Sequence, residues 1–451
     1  MFLGRDKELG KLKKELEKEG KSAVLIYGRR RIGKTTLISE SLKSVSGKII
    51  RFTAVPDELS ENARRLSRAL GEAYGMPGFQ IPDFESLLRY IGTLKEKIIL
   101  EIDEYQDLRK KTNGELVDAY FRDFIDYAPD NIKIILSGSA IRVMKNLLQK
   151  DNPLYKRFSL EISLGELNYL EASLFYPQRS IKEKIALYSV FGGIPMILSM
   201  IDPQLSVEEN IRSLLLERTG FARSYTEDVL YAELKNSGGA YSVITRIGNG
   251  RKSFSQLKAC LEDEESRNSL DYTLEQLQKS DFIEKKQPIN IKDSRRKRFY
   301  ELKSNMLRFH LSYIEKNPDA IATPAFLEKY IMPSINTFVS YRFEDIVRQW
   351  FLIQVEREIR NDIINIGTYW YDDAKTKTNG EFDVALETLE GYEIYEVKYL
   401  TSTMKEELVK EEMDKIMRIE GIKISSIGFV SSSGFEIPGE KRISGEELYN
   451  L

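Results

Sequence analysis

The chain has 451 residues, 41% of them hydrophobic and 31% charged, with 68 basic against 70 acidic side chains. That length exceeds one ordinary core and implies about two to four domains, and the near balance of charge excludes a uniformly basic protein while leaving room for local basic patches. One cysteine, Cys260, excludes an internal disulfide, and one histidine, His310, makes histidine-based metal or acid–base chemistry a poor fit. No run approaches the roughly 18 apolar residues of a membrane helix. The N-terminus is charged from position 5 and lacks a secretory pattern. The cytoplasm is the expected compartment, with no membrane partner.

Taken in chain order, residues 1–170 alternate apolar strands with amphipathic helices, the pattern of an α/β parallel sheet. The expected strands are Ala23–Tyr27, Lys48–Thr53, Ile98–Ile102 and Ile132–Leu136. Residues 171–235 read as a helical lid broken by Gly192-Gly193-Ile194-Pro195, and 236–305 as short helices followed by a charged strand pair. A helical linker, 306–335, carries His310 among Met306, Leu307, Phe309 and Leu311, where a packed structural role is expected. A last α/β segment, 336–451, holds two expected strands, Phe382–Leu386 and Tyr392–Leu400.

Gly28-Arg29-Arg30-Arg31-Ile32-Gly33-Lys34-Thr35 fits G-x-x-x-x-G-K-[ST] in full, with a β-branched strand before it and a helix opening at Thr36 after it. Glycines let the backbone N–H groups curl around phosphates, and the helix N-terminus favours their charge. Lys34 would neutralise the β and γ oxygens of ATP, and the Thr35 hydroxyl would ligate magnesium. Ile98–Ile102 then runs into Asp103-Glu104. Asp103 is suited to hold the magnesium, and Glu104 to polarise the attacking water. Ile132–Leu136 ends in Ser137-Gly138-Ser139, where a polar side chain would contact the γ-phosphate.

Phe2-Leu3-Gly4-Arg5-Asp6-Lys7-Glu8-Leu9, the YGRRRIGKTT run, Asp103-Glu104, LSGSA at 136–140 and GGIP at 192–195 together resemble the archaeal-type ATPases of the STAND class of P-loop NTPases. The resemblance covers roughly the first 235 residues in order. It implies that Gly4 and Arg5 lie near the adenine and that Gly193-Ile194-Pro195 serves as a nucleotide sensor in the lid. It also implies a charge for the transition state from Arg157, supplied in cis or from a neighbouring subunit.

Tyr241–Ile247, Ser253–Leu261 and Asn268–Ser280 read as three helices, the second capped by Ser253. Phe282–Lys286 and Arg298–Leu302 alternate as strands around a basic tip, Lys292–Lys297. Three helices and a basic hairpin are the plan of a winged helix-turn-helix, with its wing on phosphates. Arg267, Asp271, Glu275 and Lys279 nearly cancel on the third helix, so a DNA role rests mainly on the wing. Such modules also dock proteins.

In the last segment, Asp383 follows an expected turn at Thr378-Asn379-Gly380, and Glu396 and Lys398 share one face of the next strand. Asp383 and Glu396 would ligate magnesium or manganese, and Lys398 would orient water or stabilise charge on phosphorus. Asp-(12 residues)-Glu-x-Lys resembles the motif of PD-(D/E)XK nucleases, with Phe382 where the motif's name places proline. The resemblance implies a restriction-endonuclease-like α/β domain, with Glu344 as its helix-borne acid and metal ligand.

These features point to an ATP-driven enzyme on DNA that controls a C-terminal nuclease. A slow nucleotide switch, assembling with itself or with a protein partner and binding without cleavage, and an ATP-regulated transcription factor stand beside it.

Overall fold

The protein is described here by a computed structural model, which covers residues 2–234, 239–248, 250–261, 263–291, 294, 297–317, 323–373, 378–419 and 421–451. The chain divides into two compact units, Met1–Glu166 and Leu167–Leu451.

The first unit is built on strands β1 (Ser22–Tyr27), β2 (Lys48–Thr53), β3 (Ile98–Asp103), β4 (Ile132–Gly138) and β5 (Leu160–Ser163). They form a parallel sheet in the order β2-β3-β4-β1-β5. Every residue of β1 and β4 is buried, as expected of parallel strands covered on both faces. Helices Leu59–Tyr74, Phe84–Ile91 and Gly114–Tyr127 turn Leu66, Leu87 and Phe121 into one core with Ile50, Leu100 and Ile134. The four strands expected from apolar runs are present, and β3 and β4 run one and two residues further. The fifth, β5, spans four residues of mixed exposure, too short a pattern to stand out in the sequence.

The second unit opens with helices Tyr169–Ser173, Ile181–Phe191 and Pro195–Leu198. The Leu167 N–H donates to the Gly193 carbonyl at 2.8 Å, and a Cβ on Gly193 would sit 2.0 Å from the Leu167 carbonyl oxygen. Only a residue without a side chain allows that approach.

Further on, β6 (Lys252–Ser253), β7 (Ile283–Lys286) and β8 (Phe299–Leu302) make an antiparallel sheet in the order β6-β8-β7. Helices Ala240–Gly248, Phe254–Cys260 and Leu270–Lys279 share its core through Ile244, Leu257 and Leu274 against Phe282 and Leu302. Ser253 caps the second helix in a reciprocal box with Gln256. A short helix, Glu264–Asn268, precedes the third and was not expected. Of the expected basic tip, Lys292, Asp293, Arg295 and Arg296 lie outside the described residues. Lys297 lies over the Trp370 ring, 3.3 Å from its centroid.

The last sheet runs β13-β12-β11-β10-β9, from β9 (Ile363–Asp373), β10 (Thr378–Thr388), β11 (Gly391–Lys398), β12 (Ile424–Ser431) and β13 (Arg442–Ser444). Pairing is antiparallel from β9 to β11 and parallel from β11 to β13, with helix Glu406–Met417 crossing from β11 to β12. Helix Met332–Glu356 packs across β9, β10 and β11. Two expectations change here. Thr378-Asn379-Gly380 is strand, paired with Asp373-Asp372-Tyr371, because Gly380 lets the Tyr371 ring lie against its backbone. The strand β9 itself was not expected.

Gly193→Ala should destabilise the second unit by about 1–3 kcal/mol, the usual cost of overpacking. Urea unfolding checks this, and an unchanged midpoint contradicts the close approach.

Candidate functional site

The order β2-β3-β4-β1-β5 places β4 between the strand that feeds the phosphate loop and the strand that ends in Asp103. At the carboxyl edge these segments meet. Asp103 accepts hydrogen bonds from the Ser137 hydroxyl on β4 at 2.6 Å and from Thr35 Oγ1 at 3.3 Å. Glu104 takes the left-handed conformation, φ 53°, an arrangement a non-glycine residue adopts at a cost and often at functional sites. Its carboxylate accepts from the Ser139 hydroxyl at 2.7 Å, from the Ser139 N–H at 3.2 Å and from Gln106. Burial opposes ionisation of Glu104, but the Ser139 and Gln106 hydrogen bonds and the Lys34 charge hold it below the usual carboxylate range. Gln106 was not singled out in the sequence. Its signal is the polar side chain two residues after Glu104.

The loop glycines have separate reasons. Gly33 caps helix Lys34–Leu42 at φ 96°, and a Cβ on Gly28 would sit 2.3 Å from the Leu164 carbonyl oxygen. Lys34 donates to the carbonyls of Gly28 at 2.8 Å and Arg29 at 3.1 Å. Burial pushes its ammonium below the usual lysine range, against the pull of Glu104 and Asp103. Ile32 is buried, while Arg30, Arg31, Thr35 and Thr36 are exposed. Arg5 donates to the Ile32 carbonyl at 3.2 Å and the Gly165 carbonyl at 2.5 Å, so the Gly4-Arg5 segment is stitched to the phosphate loop.

Arg157 is not brought there. It precedes β5, whose Leu160 pairs with Val24 near the start of β1, at the sheet edge opposite the phosphate loop. Its guanidinium clamps Asp126 at 3.0 Å and the Pro153 carbonyl at 2.9 Å. The expectation of a charge supplied in cis is therefore corrected: the sheet's own length separates Arg157 from the phosphates. Pro195 opens its helix in the second unit, and His310, 1% exposed, packs with its Nε2 3.5 Å from Glu315.

The second cluster is built on β10, β11 and helix Met332–Glu356. A bulge in β10 between Phe382 and Ala385 re-aims Asp383. Lys398 donates to Glu396 at 2.6 Å across one face of β11 and lies 3.6 Å from Glu412. Glu344 and Asp345 are neighbours with opposite fates. Asp345 meets Arg348 at 2.6 Å, Lys286 at 3.0 Å, Arg342 at 3.1 Å and Arg308 at 3.4 Å. These cations outweigh its burial and hold it well below the usual carboxylate range. Burial and the facing Asp383 push Glu344 up to about 9, and burial and Glu396 push Asp383 up to about 6.

Glu344, Asp383 and Glu396 thus share one electrostatic neighbourhood, but they do not close on a common point. Among the described residues no group of three or more His, Cys, Asp or Glu side chains is arranged to hold a metal ion. That corrects the expected ligand set. The physical reason is that Glu396 is turned to Lys398, while Arg348 lies 3.8 Å from Glu344. The Asp345 cluster, with Arg348, Lys286 and Glu301, was missed, since ion pairs between distant segments leave no local pattern. Among the described residues no helix is long and apolar enough to cross a membrane.

Both raised carboxyls make folding take up protons between their unfolded and folded values. Glu344 should therefore make the second unit lose stability as pH climbs from 4.5 toward about 9. Thermal unfolding of wild type and Glu344→Gln across that range checks it. The substitution should flatten the fall, and identical slopes contradict the assignment.

Residues 2–201 match a family described as an ATPase domain predominantly from Archaea, and residues 310–416 match one described as Archaea bacterial proteins of unknown function. An uncharacterised protein of Methanocaldococcus jannaschii is 27% identical over 377 residues, covering 82% of each chain. An uncharacterised ATP-binding protein of Pyrococcus horikoshii is 23% identical over 198 residues, or 43% of this chain, which spans 58% of that relative. Among solved structures, a Walker-type ATPase of Pyrococcus abyssi is similar with TM-score 0.45 and 18% identity, covering 69% of this chain and 96% of that one. With the phosphate loop and the Asp103 edge in the arrangement described, the family match makes the N-terminal part of this chain a P-loop ATPase domain.

Proposed function

We propose that the chain is a magnesium-dependent ATPase whose second unit engages DNA. The observation that carries the ATPase reading is Asp103, which takes hydrogen bonds from Thr35 and Ser137 at the end of the phosphate loop. The donors there are all oxygens, the hard set that magnesium prefers, so Thr35 and Asp103 are the residues that would hold it. A cation held there would supply charge that offsets that of the phosphate oxygens. Lys34 would turn from the Gly28 and Arg29 carbonyls to the β and γ oxygens. Backbone N–H groups from Gly28 to Thr36, flanked by Arg29, Arg30 and Arg31, would wrap the phosphates, with Gly4 and Arg5 beside the adenine. Glu104, ionised and held by Ser139 and Gln106, would orient water and take its proton. Pro195 and its Gly193-Ile194 neighbours would sense the nucleotide, and Arg157 would act only on a neighbouring copy.

In this reading the three helices and the β6-β8-β7 sheet form a winged-helix module, supported by the shared core and by Lys285, Arg298 and Lys297 on or near the hairpin. The last sheet, with its bulged Asp383 beside Glu396 and Lys398, is proposed as a PD-(D/E)XK-like nuclease domain. The three carboxylates do not fit a magnesium or manganese ion in this arrangement, so no metal step is assigned there. The Lys398–Glu396 pair, at 2.6 Å, favours the second reading: a nucleotide switch whose C-terminal surfaces bind protein or DNA without cleavage.

Lys34→Ala should abolish ATP turnover, and Glu104→Gln should keep ATP binding while turnover falls by roughly 10²–10⁴-fold. A steady-state phosphate-release assay beside equilibrium ATP binding checks both. Near-normal turnover in Glu104→Gln removes Glu104 from the water-activating role. Cleavage of plasmid and single-stranded DNA with magnesium or manganese separates the two readings. Cleavage lost in Asp383→Ala supports the nuclease, and no cleavage with intact ATP binding leaves the switch.

A further inference from the structure

The second unit contains a 510 Å³ cavity between the end of helix Ala240–Gly248, the segment Glu301–Asn317 and the helical turns from Phe326 to Arg342. This volume falls in the range of small-molecule sites, roughly 300–1,000 Å³, and the cavity shares Arg308, Arg342 and Glu301 with the Asp345 cluster but no residue with the phosphate loop. Its walls are aromatic. Tyr313 and Phe338 meet edge to face, ring centroids 5.8 Å apart, and Phe326 and Tyr330 stack at 5.2 Å. Tyr330 and Tyr341, 53% and 58% exposed, flank the mouth. Gly248 lets two helices close one wall, since its Cβ would sit 2.5 Å from Leu311 Cβ.

The lining charges do not balance. Arg308, Arg342 and Lys316 face one carboxylate, Glu301. Two of these, Arg308 and Arg342, together with Lys286 and Arg348 share Glu301 and Asp345. Arg342 is buried, and its Nη1 makes no hydrogen bond among the described residues, although it lies 3.1 Å from Asp345 Oδ2. An ion pair at that distance without a directed hydrogen bond leaves a donor suited to an anion. Both sides of the cavity are also π-helical. Tyr313 lies in the wide turn His310–Ile314 and Tyr330 in Leu327–Ile331. Such turns cost hydrogen-bond geometry and recur where side chains are aimed at a ligand.

We propose that this cavity is a second ligand site, which takes a nucleoside monophosphate. Its base lies among Tyr313, Phe338 and Tyr341, and its phosphate is held by Arg342, Arg308 and Lys316. Stacking on rings and charge-assisted hydrogen bonds to guanidinium are the two interactions that such a ligand offers together. The phosphate loop needs the β and γ phosphates for its grip, so a monophosphate separates the two sites. Because the phosphate competes for cations that also hold Asp345, occupancy is felt at Arg348, beside Asp383.

The test is calorimetric titration of the full-length Lys34→Ala protein with AMP, GMP, CMP and UMP, and with adenosine and inorganic phosphate as controls. At least one monophosphate should bind with a stoichiometry near one, and adenosine and phosphate should each bind at least about tenfold more weakly, 1.4 kcal/mol. Thr337→Trp, at an exposed lining position, should fill the cavity, and Lys316→Glu should repel the phosphate. Each should weaken binding by about tenfold or more while the far-UV circular dichroism stays unchanged. No binding of any of the four monophosphates overturns the proposal. So does binding seen in wild type and lost in Lys34→Ala, and so does binding that neither Lys316→Glu nor a folded Thr337→Trp protein alters.

Discussion

Because β4 lies between β1 and β3, the carboxyl ends of these three strands arrive side by side at one sheet edge. Asp103 has two side-chain torsions, and a second contact is what holds it oriented toward the phosphate loop's hydroxyl. Ser137, fully buried on the intervening strand, fixes one carboxylate oxygen and leaves the other for Thr35. Ser139, two residues on, repeats the device for Glu104. The strand β4, with the residue that follows it, therefore orients both acids. Its uninterrupted burial supplies the rigidity that a preorganised site requires.

The second unit uses charge where the first uses strand order. Asp345 gathers cations from β7, from the helix after β8 and from its own helix. Each member would be costly alone in the interior, and together they fix how the three-stranded sheet meets helix Met332–Glu356. Its neighbour Glu344 has only Arg348 of that cluster nearby, at 3.8 Å, and burial and the facing Asp383 outweigh it. Two adjacent acids on one helix are thus pushed in opposite directions from the usual carboxylate range through a rotation of about 100° around the helix axis.

Much of the first unit was legible in the sequence. The phosphate loop announces itself because each of its residues has a separate steric or chemical duty. The strands announce themselves because parallel strands are apolar without interruption. Gln106 and β5 were not legible, one lying outside any motif and the other being too short to show a period. Arg157 misled because a resemblance gives a residue its place in the chain, whereas its ion pair with Asp126 depends on the sheet's geometry. In the second unit the expectation for Asp383, Glu396 and Lys398 rests on alternation along strands and on a motif resemblance. Whether they converge depends on side-chain rotation and on cations at positions 286, 308 and 348, and no local pattern carries that information.

The hydrogen bonds that Lys34 makes to Gly28 and Arg29 have a further consequence. Within the loop the lysine is held by neutral acceptors of the loop's own backbone. Nucleotide entry is then an exchange reaction, two neutral carbonyls given up for charged phosphate oxygens. Only the difference between those contacts appears as affinity, and that difference is electrostatic. The grip on nucleotide should loosen as ionic strength rises, while the loop itself, held by neutral acceptors, keeps its shape.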